Sequence, residues 1–175
     1  MGDAALQVTS NCFPCIVPKS VGDVLHTGCF TIEIVNKSSN RNRRGTLFGN
    51  YNIDQGSGFN IEWRYGNGTN YTYRTYFNSS PDINTTELYL VNVGQSQSFT
   101  LNGRTHNMYH NAVRFYSTTT TIHTPAATRY CIGGELLRNN MASLGEIYSV
   151  RIYSLDLSEE EIAHNYKIDK IRFGL

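Results

Sequence analysis

The sequence predicts an all-β fold in which two antiparallel sheets pack face to face as a sandwich, with one short helix near the C-terminus. Three observations predict it. Several short segments alternate apolar and polar residues with a period of two, which puts one face of a strand inward and the other outward. Asn-Gly pairs at Asn67-Gly68 and Asn102-Gly103 mark tight hairpins between such segments. The composition is rich in strand and turn formers, with twelve Tyr, 12% aromatic residues and only 17% charged residues.

Taken in order, residues 1–20 read as an irregular N-terminal segment that either adds an edge strand near Leu6 to Val8 or runs along the surface. Phe30 to Val35 alternates Phe30, Ile32 and Ile34 with Thr31 and Glu33, as a half-buried central strand does. Thr46 to Tyr51 forms the next strand. In Phe59 to Tyr65 the residues Phe59, Ile61, Trp63 and Tyr65 share one face, so the single Trp reads as core. Tyr71 to Phe77 returns from the Asn67-Gly68 turn with aromatics on both faces, and Tyr76 stands opposite the Tyr71, Tyr73 and Phe77 side. Glu87 to Val93, Ser98 to Leu101, Val113 to Tyr116, Thr118 to His123 and Tyr130 to Ile132 are further strands, and Thr105 to Asn111 reads as a loop.

The closing stretch is the most explicit. Ile147 to Tyr153 is a strand rich in β-branched and aromatic residues. Ser158 precedes Glu161 by three, a capping box, and Leu157 and Ile162 are placed as its hydrophobic staple. Glu159, Glu160 and Glu161 put negative charge in the first helical turn, where the helix dipole favours it. Ile162 and Tyr166 form a narrow docking stripe, with Ile168, Ile171 and Phe173 expected to continue the anchoring.

This run, GEIYSVRIYSLDLSEEEIAHNY, resembles the closing segment of laminin-G-like, concanavalin-A-like lectin jelly-roll domains, where a strand of the type G-x-I-x-x-x-R-I-Y leads into L-S-x-E-E-I. FTIEIV, TLFGNY, SFTLNGR and YCIGG fall in the family's order, so the resemblance extends over most of the chain. It departs at the N-terminus, where Met1 to Pro18 replaces the usual opening strand. The resemblance implies a concanavalin-A-like jelly roll, a single domain over residues 1–175, and kinship with bacterial and phage surface proteins.

Composition and motifs narrow the chemistry. A formal charge of +1 argues against nucleic acid as a partner, because that affinity comes from many clustered cations. No apolar run is long enough for a membrane span or a signal peptide, so the chain reads as made in the cytosol or as a fragment. Cys12 and Cys15 form a C-x-x-C without the second ligand pair a zinc site needs, and all four cysteines read as free thiols. Glycosidases of this fold need two carboxylates flanking the scissile bond, and no E-x-E or E-x-D-x-x-E pair falls on a strand. Glu33 and Glu62 stand alone. No nucleophile elbow, phosphate loop or H-E-x-x-H occurs, so the chain reads as no enzyme.

Binding residues are therefore sought in loops, which vary without disturbing a core. Arg41, Arg43 and Arg44 make a basic cluster able to grip anionic groups, though a solvated loop explains them equally. Asn50, Asn52 and Asp54 recur every second residue, as in calcium loops, yet lack the glycine and the final glutamate of an EF-hand; calcium is the single candidate cofactor. Tyr76, His106, Tyr109 and His110 complete the ligand-binding candidates, combining aromatic area with polar handles. The function expected is a non-enzymatic structural or recognition module: a phage virion surface protein of the capsid-decoration, head-fibre or tail-associated kind, assembled in the host cytoplasm and able to bind glycans. The alternative is a carbohydrate-binding lectin domain of a bacterial or eukaryotic extracellular adhesion protein. Expected partners are virion or cell-surface proteins, glycans and further copies of the chain, with no nucleic acid and no membrane insertion.

Overall fold

A computed structural model describes residues 5–8, 15–39, 45–50, 59–65, 70–77, 83–84, 89–90, 92–119, 129–134 and 145–175. In chain order the elements are β1 (Leu6–Val8), β2 (Cys15–Ile16), α1 (Lys19–Gly22) with a 3-10 turn (Asp23–His26), β3 (Cys29–Ser38), β4 (Gly45–Gly49), β5 (Phe59–Tyr65) and β6 (Asn70–Phe77). They continue as β7 (Ile83–Asn84), β8 (Tyr89–Leu90), β9 (Gly94–Asn102), β10 (Thr105–His110), β11 (Val113–Thr119), β12 (Cys131–Ile132), β13 (Gly145–Tyr153) and α2 (Glu159–Phe173).

Among the described residues the strands form two antiparallel sheets. One has six strands in the order β1-β13-β3-β9-β10-β11; the other has seven, β2-β12-β4-β5-β6-β7 with β8 paired to β6. The expected all-β sandwich with a C-terminal helix is the architecture found. Phe30, Ile32, Ile34, Phe99, Leu101 and Met108 from the first sheet meet Leu47, Phe48, Phe59, Ile61 and Tyr130 from the second in one core cluster. The rings of Phe59 and Phe99 lie 5.4 Å apart across the sandwich, and Phe48 stacks on Tyr130 at 5.6 Å. At the Asn102-Gly103 hairpin, Gly103 takes φ 60°, a conformation the turn needs and glycine adopts without strain.

Three elements depart from the expectation. The chain over Lys19–His26 is helical, where the irregular segment was expected to run to residue 20 and no helix was assigned ahead of the C-terminal one: Pro18 stands at the N-cap, Lys19 pairs with Asp23 at 2.8 Å, and Gly22 lies flat against the Tyr130 ring. Thr105–His110 is a strand rather than a loop, because it continues the Asn102-Gly103 hairpin in unbroken register with β9. The C-terminal helix is four turns long, and Ile168 and Ile171 do not anchor it; they are 49% and 88% exposed.

What anchors α2 is polar. The helix lies across the outer face of the six-stranded sheet, and its two fully buried residues are Ile162 and Asp169, two turns apart. Ile162 packs with Leu157 and Tyr109, which realises the expected staple, and Ser158 and Glu161 form the capping box. Asp169, 1% exposed, receives a bidentate pair of hydrogen bonds from Arg151 on β13, one of them 2.9 Å long. The same guanidinium donates through Nε to Glu33 on β3 at 3.0 Å. Glu33 is 2% exposed, and its Oε2 also accepts from the Tyr153 hydroxyl at 3.0 Å and from Asn165 Nδ2 at 2.9 Å. Burial pushes the Glu33 carboxyl above its ordinary range, while Arg151 and these two donors pull it part of the way back.

The helix therefore covers a face that the alternation of β3 marked as outward. Beside it, Thr31 Oγ1 accepts from Leu157 N at 2.9 Å and donates to Leu155 O at 2.9 Å, fastening the β13–α2 connection to β3. At the far end Arg114 on β11 pairs with Glu159 at 2.8 Å. Replacing Arg151 with Met leaves two buried carboxylates facing each other without a cation. That substitution is expected to lower unfolding free energy by about 3–5 kcal/mol, measured by urea denaturation, while Ile171→Ala on the exposed side of the same helix changes it by less than about 0.5 kcal/mol.

Candidate functional site

The residues proposed from sequence do not converge. His106 and Tyr109 fall on opposite faces of β10. His106 points into the sandwich with no exposed surface, its ring 5.7 Å from that of Phe99 and 6.0 Å from that of Tyr116. Tyr109, 3% exposed, is buried beneath α2 against Leu157 and Ile162. Neither can touch an outside ligand, and both are corrected here from contact residues to packing residues. His110 is half-buried and its Nε2 lies 3.1 Å from Gln95 Oε1. Burial pushes both histidines down to about 4, so they are neutral at physiological pH and offer no cation to an acidic ligand.

Asn50 also has a structural task. Its side-chain oxygen accepts from Phe59 N at 2.8 Å while its own N donates to Phe59 O at 2.8 Å, closing β4 onto β5. Asn52 and Asp54 lie outside the described residues, as do Arg41, Arg43 and Arg44. Among the described residues no three His, Cys, Asp or Glu side chains gather as a metal-binding group. The three described cysteines, Cys15, Cys29 and Cys131, are free thiols, and burial pushes the Cys131 thiol up to about 11.

Tyr76 leads to a different surface, the outer face of the seven-stranded sheet. On β5 the residues Phe59 and Ile61 enter the core, so Asn60 and Glu62 belong to the opposite face. The antiparallel register then sets Asn60 opposite Tyr76 and Glu62 opposite Arg74. The row continues from Glu62 to Thr46 on β4, and from Arg74 to Asn84 on β7. Register alone thus sets Thr46, Asn60 and Glu62 in line with positions 74, 76 and 84 within two adjacent rows.

The floor of this face is rigidly built. Thr46, Asn60 and Glu62 are fully buried, and Asn60 Nδ2 donates to Thr46 Oγ1 at 3.3 Å. Asn60 reaches across Gly49: a Cβ there would sit 2.0 Å from Asn60 Oδ1 and 2.4 Å from Phe59 O. Gly49 is small so that the amide can lie over the strand. Arg74 and Asn60 were not singled out in the sequence, and Glu62 was weighed only as an isolated carboxylate; the alternation of β5 against the Asn67-Gly68 hairpin was the signal that could have grouped them.

The carboxylates Glu33 and Glu62 cannot work together on one glycosidic bond. They lie on the outer faces of different sheets, pointing away from each other across a sandwich about 10 Å thick, whereas paired glycosidase carboxylates sit about 5–9.5 Å apart facing one substrate.

No family model and no curated protein matches this sequence. Solved structures of low identity do superimpose. The CBM40 domain of a Ruminococcus gnavus IT-sialidase, bound to α2,3 sialyllactose, aligns at TM-score 0.67 with 13% identity over 95% of this chain and 100% of that one. A native heptameric SAP-like pentraxin from Limulus polyphemus aligns at 0.65, with 13% identity over 96% of this chain and 76% of the other. Domain 4 of a GH43 extracellular arabinanase from Geobacillus stearothermophilus, in complex with arabinotriose, aligns at 0.60 with 15% identity over 91% and 70%. The likeness establishes a lectin-type jelly-roll fold.

Two measurements test this geometry. Gly49→Ala is expected to cost about 1–3 kcal/mol of stability by thermal or urea melts, since the new methyl meets backbone and cannot be relieved by a rotamer change. For His106 the unfolded chain binds a proton near the ordinary 6.5, and the folded chain only near 4. Stability contributed by keeping the ring neutral is therefore complete above pH 6.5 and is lost as pH falls towards 4, by on the order of 3 kcal/mol. His106→Phe is expected to flatten that part of the pH–stability curve.

Proposed function

We propose that this chain is a non-catalytic carbohydrate-binding module of the lectin jelly-roll type, working at a cell surface or in an extracellular protein. The observation that carries this reading is the correspondence over 95% of the chain, and all of the other, with a CBM40 domain whose structure holds α2,3 sialyllactose. The arabinotriose complex of the arabinanase domain supports the same class of ligand. A virion-surface role and a laminin-G-like affiliation have the closing segment's motif as their support, and the carbohydrate reading takes precedence over them.

The ligand surface proposed is the outer face of the seven-stranded sheet. Buried Asn60, Glu62 and Thr46 serve as its fixed base, and Tyr76 and Arg74, their register neighbours, supply contact. A phenol gives a sugar ring an apolar face to lie on together with a hydroxyl. A guanidinium gives the two-pronged donor geometry that matches a carboxylate, the group that distinguishes sialic acid from neutral sugars. Arg41, Arg43 and Arg44 extend the proposal to anionic glycans.

Titration calorimetry of the chain against sialyllactose and arabino-oligosaccharides tests the reading. Binding is expected to at least one of them, and Tyr76→Ala or Arg74→Ala is expected to weaken it about tenfold or more, near 1.4 kcal/mol, with the melting temperature little changed. Absence of binding to these sugars and across a broad glycan array would overturn the proposal.

A further inference from the structure

The groups that fasten α2 to the six-stranded sheet do not balance in charge. Glu33 on β3 and Asp169 on α2 are 2% and 1% exposed, and one cation, the Arg151 guanidinium, lies between them. Counted as ions, the cluster carries one uncompensated negative charge away from water, which is costly for any fold. Among the described residues no second cation bonds either acid. β13 brings Tyr153 beside Arg151, α2 brings Asn165 beside Asp169, and β9 brings Ser98. Burial pushes the Tyr153 phenol up to about 12, so it remains a donor. Further along the row stand Tyr109 and Arg114, and the Arg114 guanidinium is engaged by Glu159. Glu160, Glu161 and His164 lie on the exposed side of the helix above Tyr153 and Asn165.

The hydrogen bonds distinguish the two acids. Both oxygens of Asp169 receive a guanidinium hydrogen bond from Arg151, so this carboxylate is paired in full. Glu33 is lopsided. Its Oε2 accepts from Arg151 Nε at 3.0 Å, from the Tyr153 hydroxyl at 3.0 Å and from Asn165 Nδ2 at 2.9 Å. Its Oε1 meets only the Ser98 hydroxyl, at 3.4 Å, long for a bond between two oxygens. An ionised carboxylate accepts at both oxygens, whereas a neutral carboxyl has one oxygen that accepts and one hydroxyl that donates. Oε1 suits the donating role, because the Ser98 hydroxyl can turn its own hydrogen away and present a lone pair. We propose that Glu33 holds a proton on Oε1 in the folded chain and that this proton fastens α2, the helix being seated while Glu33 is neutral and loosened when it ionises. Ionisation sets two acids, one on the sheet and one on the helix, against each other across a single guanidinium. The helix is the element that yields, since its buried apolar anchor, Ile162 against Leu157 and Tyr109, lies only at its start. Burial raises the Glu33 carboxyl above its ordinary 4.5; Arg151, Tyr153 and Asn165 oppose the rise and Asp169 adds to it. The unfolded chain releases this proton near 4.5, so the stability it contributes is complete below that pH and is lost as pH rises through the higher folded value.

Titration of the Glu33 carboxyl in the full chain by carbon NMR, with Glu33→Gln to assign its signal, tests the proton. A midpoint well above 4.5 is expected. Gln reproduces the neutral acid, its oxygen accepting the three bonds and its NH2 donating to Ser98 Oγ, so Glu33→Gln is expected to be no less stable than the native chain at neutral pH. Urea melts give a second reading. From pH 4.5 up to the midpoint, the unfolding constant of the native chain is expected to rise by up to about tenfold per pH unit relative to that of Glu33→Gln. His106 and His110 titrate with the opposite sign in both proteins and cancel in that ratio. Over the same interval, hydrogen exchange is expected to show residues 162–169 losing protection relative to β9 in the native chain and keeping it in Glu33→Gln. A Glu33 midpoint at or below 4.5, a Gln variant whose unfolding constant is tenfold or more higher at neutral pH, or helix protection that does not change over the interval would overturn the inference.

Discussion

The ion cluster of Glu33, Arg151 and Asp169 is the constraint from which the rest of the six-stranded sheet follows. Two carboxylates with almost no exposed surface share one guanidinium, so removing Arg151 strands both acids in a poorly solvated place. The cluster joins the second and third strands of the sheet to the helix, residues more than a hundred positions apart in sequence. The register shows how it is supported. Arg151, Glu33, Ser98, Tyr109 and Arg114 stand side by side on five consecutive strands, β13, β3, β9, β10 and β11. Arginines end the row on both sides, and the helix answers them with Asp169 and Glu159. Ten helical residues span about 15 Å and four strand spacings about 19 Å, a difference the long arginine side chains bridge. The helix consequently crosses the strands instead of running along them.

That arrangement explains residues that look unremarkable in isolation. Ser96, Ser98 and Thr100 are buried on β9 because only short side chains leave room for a helix backbone overhead. Tyr109 lies between helix and sheet, and Tyr148 stacks on Phe173 at 5.4 Å at the helix's far end. α2 covers the outer face of the six-stranded sheet, so the sugar face proposed above belongs to the seven-stranded sheet, whose Thr46, Asn60 and Glu62 are themselves buried. The sugar contacts proposed accordingly fall on the β5–β6 face, on the sheet that α2 does not cover.

Local chemistry was read correctly wherever a segment carries its own signal. The capping box at Ser158 and Glu161, the staple of Leu157 and Ile162, the edge strand at Leu6–Val8 and the Asn102-Gly103 hairpin all concern residues within a few positions of each other or a simple alternation. Tyr76 was chosen for its face, and the register keeps it opposite Asn60. The histidine–tyrosine group was misjudged because THNMYHN is polar enough to pass for a loop. Only its pairing with β9 on one side and β11 on the other makes it a strand, and pairing partners do not show in a single segment.

By itself, then, the amino-acid sequence determined the all-β class, the hairpins, the capped final helix and the alternation that separates Phe30, Ile32 and Ile34 from Thr31 and Glu33, because each depends on period, propensity and short-range hydrogen bonding. The tertiary structure decided what covers each outward face. Glu33 reads as an outward, isolated carboxylate until Arg151 and Asp169 are brought to it, and Ile168 and Ile171 read as anchors until the ion cluster sets the rotation of the helix and turns them outward. Alternation reports which residues share a face. Whether that face meets water, a helix or a ligand depends on contacts between residues far apart in the chain, and no local pattern encodes them.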